Sequence, residues 1–166
     1  MTIHRLDLQP GEGIPNNPSL PVLVAPGAVS GPPERICALM EANGWTGTWV
    51  WTVFDYHHFH PDAHEALVCA SGTARLMLGG PGGPSLDLHP GDALLLPAGT
   101  GHKRLSQSPD FRICGAYPPG QSDYTTLREG QGGPDIAAQI AAVPLPDTDP
   151  LTGPDGPLCR LWHAPS

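Results

Sequence analysis

Four of the eight histidines in this 166-residue chain, His57, His58, His60 and His64, fall within eight positions, and Glu65 follows directly. Neutral imidazoles and a carboxylate are the donors that a borderline divalent metal ion favours. On an extended backbone, side chains two apart share a face, so His58 and His60 point the same way while His57 points away. Pro61 and Asp62 turn the chain, and a returning strand that begins near His64 and Glu65 brings one more donor beside the pair. The residues alone leave open which of those two it is. A further donor has to come from elsewhere, and His102, at the end of the strand-and-turn unit GDALLLPAGTGH, is aimed back inward by the turn. A cluster of this kind speaks for metal-assisted chemistry or for metal-held ligand capture.

Two neighbours are candidates for the substrate pocket. Tyr56 shares the face of His58 and His60 and carries a hydroxyl that can donate to a bound oxygen, the competing reading being simple filling of the barrel. Arg104 stands two positions past His102 on the same face, where an inward guanidinium is costly to bury unless it meets a carboxylate or an anionic substrate. The competing reading of Arg104 places it at the barrel mouth beside a surface acid. Cys69 shares the face of Glu65 and is read as packing, and His4, His89 and His163 are assigned nothing.

The elements that must hold these groups are mostly strands. With 22 Pro, 21 Gly and 39% hydrophobic residues, the composition suits an all-β protein rich in turns. Residues 2–9 and 20–25 read as two early strands. Residues 32–43 open on two prolines, place Ile36, Leu39 and Met40 at helical spacing and stop at Gly44, which predicts one helix. From 45 to 117, strand-length runs rich in Trp, Val, Phe and Leu alternate with Gly and Pro turns, the pattern of a barrel or sandwich. The glycine-rich stretch from Gly79 to Pro84 is a hairpin turn, since no Lys-Ser/Thr and no helix follow it. Residues 135–142 predict a short helix. Residues 143–157 have no periodicity and read as an irregular strap, with Leu158, Leu161 and Trp162 as anchors.

The net charge of −8, from 16 acidic against 8 basic residues, repels phosphate backbones and anionic membranes, so neither nucleic acid nor membrane is an expected partner. The four cysteines form no CxxC pair, and neither a cationic leader nor an apolar run of spanning length is present. Reduced thiols in a cytoplasmic protein are the expectation.

At this level of detail the residues resemble the cupin superfamily. The spacing His58-x-His60, four residues, Glu65, six residues, Gly72 follows the first cupin motif, and Gly91, Pro97, Gly99 and His102 follow the second. Thr52 and Ser106 stand where those motifs carry Gly and Asn. The resemblance implies a double-stranded β-helix (jelly-roll) barrel with one N-terminal helix and a short C-terminal helix. The whole of 1–166 then forms one domain, its metal-binding core at about 45–117 and a C-terminal strap over 118–166. It implies His58, His60, Glu65 and His102 as ligands of one divalent transition metal (Fe, Mn, Ni, Co or Zn). Glu65 is preferred over His64 because only Glu65 lies six residues before Gly72, which leaves His64 outside the pocket. The implied function is a metal-dependent enzyme on a small oxygen-rich metabolite, of oxygenase or isomerase type. The alternative is a non-catalytic module that binds metal or small molecule. A homodimer is expected from the superfamily's habit and from the exposed edges of a small barrel. HHFHPDAHE, GDALLLPAGTGHK with GAYPPGQ, and DPLTGPDGPL are also similar to a group of small bacterial cupins, a likeness that brings no reaction with it.

Overall fold

A computed structural model describes residues 1–164. The chain begins with β1 (His4–Leu6) and β2 (Val22–Ala25), then α1 (Pro33–Ala42), whose opening prolines supply a preset φ where no backbone donor is needed. Eight strands follow in succession: β3 (Thr46–Trp51), β4 (His58–Phe59), β5 (Glu65–Ser71), β6 (Ala74–Leu78), β7 (Ser85–Leu88), β8 (Ala93–Leu96), β9 (His102–Gln107) and β10 (Arg112–Tyr117). The C-terminal part carries β11 (Leu127–Arg128), α2 (Ile136–Ala141), the small ribbon β12 (Thr148–Asp149) and β13 (Gly153–Pro154), and α3 (Pro157–His163).

The strands form a jelly-roll of two antiparallel sheets. One has the order β1-β2-β8-β5-β10-β3 and the other β11-β4-β9-β6-β7. Alternation along β5 explains the continuous apolar run ALVCA. Leu67 and Cys69 point between the sheets, where they meet Leu76, Leu78, Leu94, Leu96, Phe111 and Ile113. Ala66 and Val68 point outward into a second core with Ile36, Met40, Leu95, Cys114, Leu158 and Trp162. A strand covered on both faces needs no polar positions, so its sequence loses the simple period of two.

The motif glycines are backbone requirements. Gly72 turns β5 into β6 at φ +66°, and a Cβ there would come within 2.6 Å of the Phe111 backbone. Gly99 sits at φ +88°, with the Ile140 side chain 2.6 Å from where a Cβ would stand. Side chains at such positions are strained and crowded at once.

α3 is a third helix that the sequence pattern does not announce. Its N-terminus has no capping side chain of its own. Asp149, fully buried, supplies the acceptor from eight residues upstream in the ribbon: Oδ2 accepts from the Leu158 N–H at 2.8 Å, and Oδ1 from Leu151 at 2.8 Å and Thr152 at 3.2 Å. The region read as an aperiodic strap is thus held by one carboxylate rather than by alternation. Trp162 completes the attachment by donating its indole N–H to the Pro21 carbonyl at 2.9 Å. Among the described residues no helix is long and apolar enough to cross a membrane.

Candidate metal centre

β4 and β9 lie side by side with His58 opposite His102, and the chain continues past β4 to His60. This register brings one ligand atom from each of His58, His60 and His102 to within 4.8 Å of one another, all three residues being buried. β5 begins at Glu65, whose Oε1 lies 3.3 Å from His102 Nε2 and whose Oε2 lies 3.8 Å from His60 Nε2.

The rings are oriented by backbone. His58 Nδ1 lies 3.0 Å from the Tyr56 carbonyl, His60 Nδ1 3.0 Å from the Thr125 carbonyl, and His102 Nδ1 3.0 Å from the Thr100 carbonyl. A carbonyl only accepts, so each Nδ1 carries the proton and each neutral ring presents a bare Nε2 lone pair. Glu65 Oε1 is buried and has no hydrogen-bond partner. At 3.3 Å, His102 Nε2 and Glu65 Oε1 are two lone-pair donors facing each other, an arrangement that a shared cation relieves. The donor set therefore fits a divalent transition ion.

The second oxygen of Glu65 is already engaged. Tyr117 donates its hydroxyl to Oε2 at 2.7 Å, and Trp49 donates its indole N–H to the Tyr117 oxygen at 2.8 Å. Trp49 reaches that far because its partner across the β3–β10 ladder is Gly115, and any Cβ there would fall 2.2 Å from the indole. A Tyr117→Phe variant keeps the ring and loses this orientation. Its metal affinity is expected to fall about tenfold, as for other outer hydrogen-bond partners of a ligand, in a competition titration with a chromogenic chelator.

Asp62 acts on the same site through a loop. Its carboxylate accepts from the Thr125 N–H at 2.9 Å and from the Thr125 hydroxyl at 2.8 Å, which fixes the carbonyl that holds His60. The same loop places Tyr124 against His60, ring centroids 4.7 Å apart, and stacks it on Tyr117 at 4.3 Å.

Burial dominates the proton affinities. It drives the His58 imidazole from 6.5 down to about 2, with His102 adding to the effect, and it lowers His60 as well. For Glu65, burial alone raises the carboxyl, but His60, His102 and the Tyr117 hydroxyl outweigh it and bring it to about 2. Burial also lowers His64 to about 4 and raises the Tyr117 phenol. The unfolded chain takes up protons on these imidazoles below about 6.5 while the folded chain does not, so stability falls as pH drops through that window. Metal-free protein is expected to lose stability between pH 6.5 and about 4, approaching roughly 1.4 kcal/mol per pH unit for each imidazole. Urea midpoints of chelator-treated protein that stay constant over that range would count against this.

The remaining sequence candidates lie elsewhere. His64 is fully buried on the opposite side of β5, where Nδ1 accepts from the Ala98 N–H at 2.8 Å and the ring packs 4.8 Å from Trp162. His57 is buried outside the cavity lining. Tyr56 does not line the cavity. Strand alternation does not reach back to it, because β4 is only two residues long and residues 55–56 form a bend. Its ring is stacked on Phe54 at 4.9 Å and covered by the Arg128 guanidinium at 3.7 Å. Arg104 does not enter the cavity either. Its Nη1 donates to the Val53 carbonyl and Thr52 Oγ1, both at 3.2 Å, and to Gln107 at 3.0 Å, while Nη2 lies 3.9 Å from Asp55. Rim acceptors satisfy the guanidinium, so no inward counter-ion is required.

The groups that do line the cavity, a space of about 310 Å3 beside the histidines, include Trp49, Trp51, Phe54, Leu67, Tyr117 and Tyr124. Alternation from Glu65 points to Leu67, and the face of Ile113 on β10 leads to Tyr117. Tyr124 comes from a loop with no such signal.

Comparison with known proteins agrees with this architecture. The family described as cupin domain matches residues 51–109. The uncharacterised protein YjlB of Bacillus subtilis (strain 168) is 40% identical over 157 residues, covering 92% of this chain and 93% of that one. Among solved structures, acireductone dioxygenase from Bacillus anthracis with a cadmium ion in its active centre is 18% identical over 54% of this chain and 60% of its own, with a TM-score of 0.38. The DMSP lyase DddQ from Ruegeria pomeroyi DSS-3 is 21% identical over 52% of this chain and 43% of its own, at 0.39. The chain spans less than two thirds of either of those two proteins. With the family match lying over the strands of the histidine cluster and a relative alike over nine-tenths of both chains, this protein belongs to the cupins.

Proposed function

We propose that this cupin is a metal-dependent enzyme that acts on a small oxygen-bearing molecule, with His58, His60, Glu65 and His102 as the ligands. The observation that carries this reading is the convergence of three bare imidazole nitrogens and one unpartnered carboxylate oxygen on the wall of a cavity. A divalent ion held there supplies Lewis acidity or a site for O2, the basis of isomerase and oxygenase chemistry respectively. The protein's own part is to orient the rings through three backbone carbonyls, to keep Glu65 Oε2 occupied by Tyr117 so that Oε1 faces the site, and to exclude water with aromatic walls.

Elemental analysis of protein purified without added metal, followed by substrate and O2-uptake screens of the Fe-, Mn-, Ni- and Co-loaded forms, tests the proposal. One ion per chain and turnover lost in a folded Glu65→Ala variant are the expected results. Absence of turnover with every metal would sink the enzymatic reading.

One observation favours the alternative of a non-catalytic binding module. Besides the four ligand candidates, the only titratable groups in the cavity wall among the described residues are Tyr117 and Tyr124, and the Tyr117 phenol is held protonated by burial beside Glu65. Calorimetric binding of a ligand that is recovered unchanged would support that module.

We further propose that 1–166 acts as one domain, as a cytoplasmic homodimer. The free state of all four cysteines supports the compartment, and the outermost position of β3 with exposed Val50 supports pairing of copies.

A further inference from the structure

The wall of the metal-side cavity is nearly all rings and its charge is one-sided. Trp49, Trp51, Phe54, Tyr117 and Tyr124 line it together with Val53 and Leu67, and no Lys or Arg lines it among the described residues. Two arginines near the cavity are committed elsewhere. Arg104 is held by Thr52, Val53, Gln107 and Asp55, and Arg128 lies on the Tyr56 ring. A ligand with several negative charges would enter against Glu65 with nothing but the metal to balance it, and would trade its hydration for aromatic faces. A divalent ion with the Glu65 carboxylate leaves one net positive charge, which one ionised ligand oxygen balances.

Size and shape point the same way. An apolar cavity of about 150 Å3 takes a benzene ring, so about twice that takes one or two fused rings. Trp51 is 56% exposed although it lines the cavity, and it meets Phe54 edge-on with centroids 5.5 Å apart. A flat ring entering the cavity would cover that indole and gain the offset or edge-to-face contacts that aromatic pairs prefer.

We infer that the cavity accepts a flat aromatic molecule bearing two adjacent oxygen donors, at most one of them ionised, its ring on the Trp51 and Phe54 side and its oxygens toward His58, His60 and His102. This rests on the metal reading above and narrows its substrate class.

Zinc, which has no redox chemistry, permits a test by binding alone. Calorimetry first measures Zn(II) binding to the metal-free protein. The zinc-loaded protein is then titrated at near-neutral pH with catechol and with oxalate, two chelators through oxygen pairs that differ in ring and charge. Each affinity is referenced to that for aqueous zinc. Catechol is expected to gain at least about tenfold over oxalate on this scale. Trp51→Ala, a change at an exposed position, is expected to cost catechol about tenfold and to leave oxalate within about twofold, the size of one aromatic contact with its buried area. Oxalate favoured equally or more, or both ligands weakened alike by Trp51→Ala, overturns the inference and leaves the metal centre standing. Failure of zinc itself to bind overturns both.

Discussion

Alanine in place of His102 or His58 is expected to strip the protein of its metal while leaving the jelly-roll folded. Each ring supplies one of the three nitrogens that lie within 4.8 Å of one another. Outer hydrogen-bond partners of metal-bound histidines are each worth about 10- to 100-fold in affinity, so loss of a ligating ring should cost more than about 100-fold. The fold should tolerate it, because the two main cores are built from other residues and the cavity already lies beside these rings. Metal content after dialysis, measured beside far-UV circular dichroism, reads both halves of the prediction. His89→Ala is the control, a ring 65% exposed and remote from the cavity lining. A His102→Ala protein that retains a full complement of metal would remove this residue from the site.

The largest expected effect on stability comes from Asp149→Ala, at a residue with no part in metal binding. Its two oxygens serve three backbone N–H groups, on Leu151, Thr152 and Leu158, in a wholly buried position. Removing the carboxylate orphans all three, at about 1–3 kcal/mol for each buried group left unsatisfied, less whatever local fraying recovers. A net loss of about 3–5 kcal/mol follows, or roughly 10 °C in Tm for a chain of this length. Asp149→Asn should fall between, since one amide oxygen can still accept. A thermal melt within 2 °C or so of the parent would show that the ribbon and α3 do not depend on this group. Metal content of the variant at low temperature should match the parent.

How far these features could be read beforehand depended on the distance over which each is encoded. His58, His60 and Glu65 sit in one short segment, and their spacing to Gly72 follows from a turn that only glycine can make without strain. The Pro97-x-Gly99 turn before His102 is local in the same way. The helix at α1 and the short α2 carry their own start signals and periodicity. Alternation does not carry Tyr56 to the cavity, and of the two readings of Arg104 the structure matches the one at the barrel mouth beside a surface acid. The chain bends at 55–56 before β4, and Arg104 is long enough to leave its strand's face for acceptors at the rim. Trp49 and Tyr124 reach the cavity through a cross-strand glycine and a loop pinned by Asp62. Neither leaves a periodic trace. Asp149 and α3 escaped for the same reason, since a carboxylate that caps a helix from eight positions upstream has no local signature.

The carbonyls of Tyr56, Thr100 and Thr125 each accept from one imidazole Nδ1, so backbone groups set the direction of all three Nε2 lone pairs. An ion bound there would meet donors already aimed by the backbone, and a set of nitrogen and oxygen donors suits several first-row ions. Selection falls to relative affinity, which rises from Mn through Fe, Co and Ni, and to what the surrounding medium supplies when the chain is loaded. Protein made in media of different trace composition should therefore carry different ions in one unchanged site, and exchange among them should proceed without denaturant.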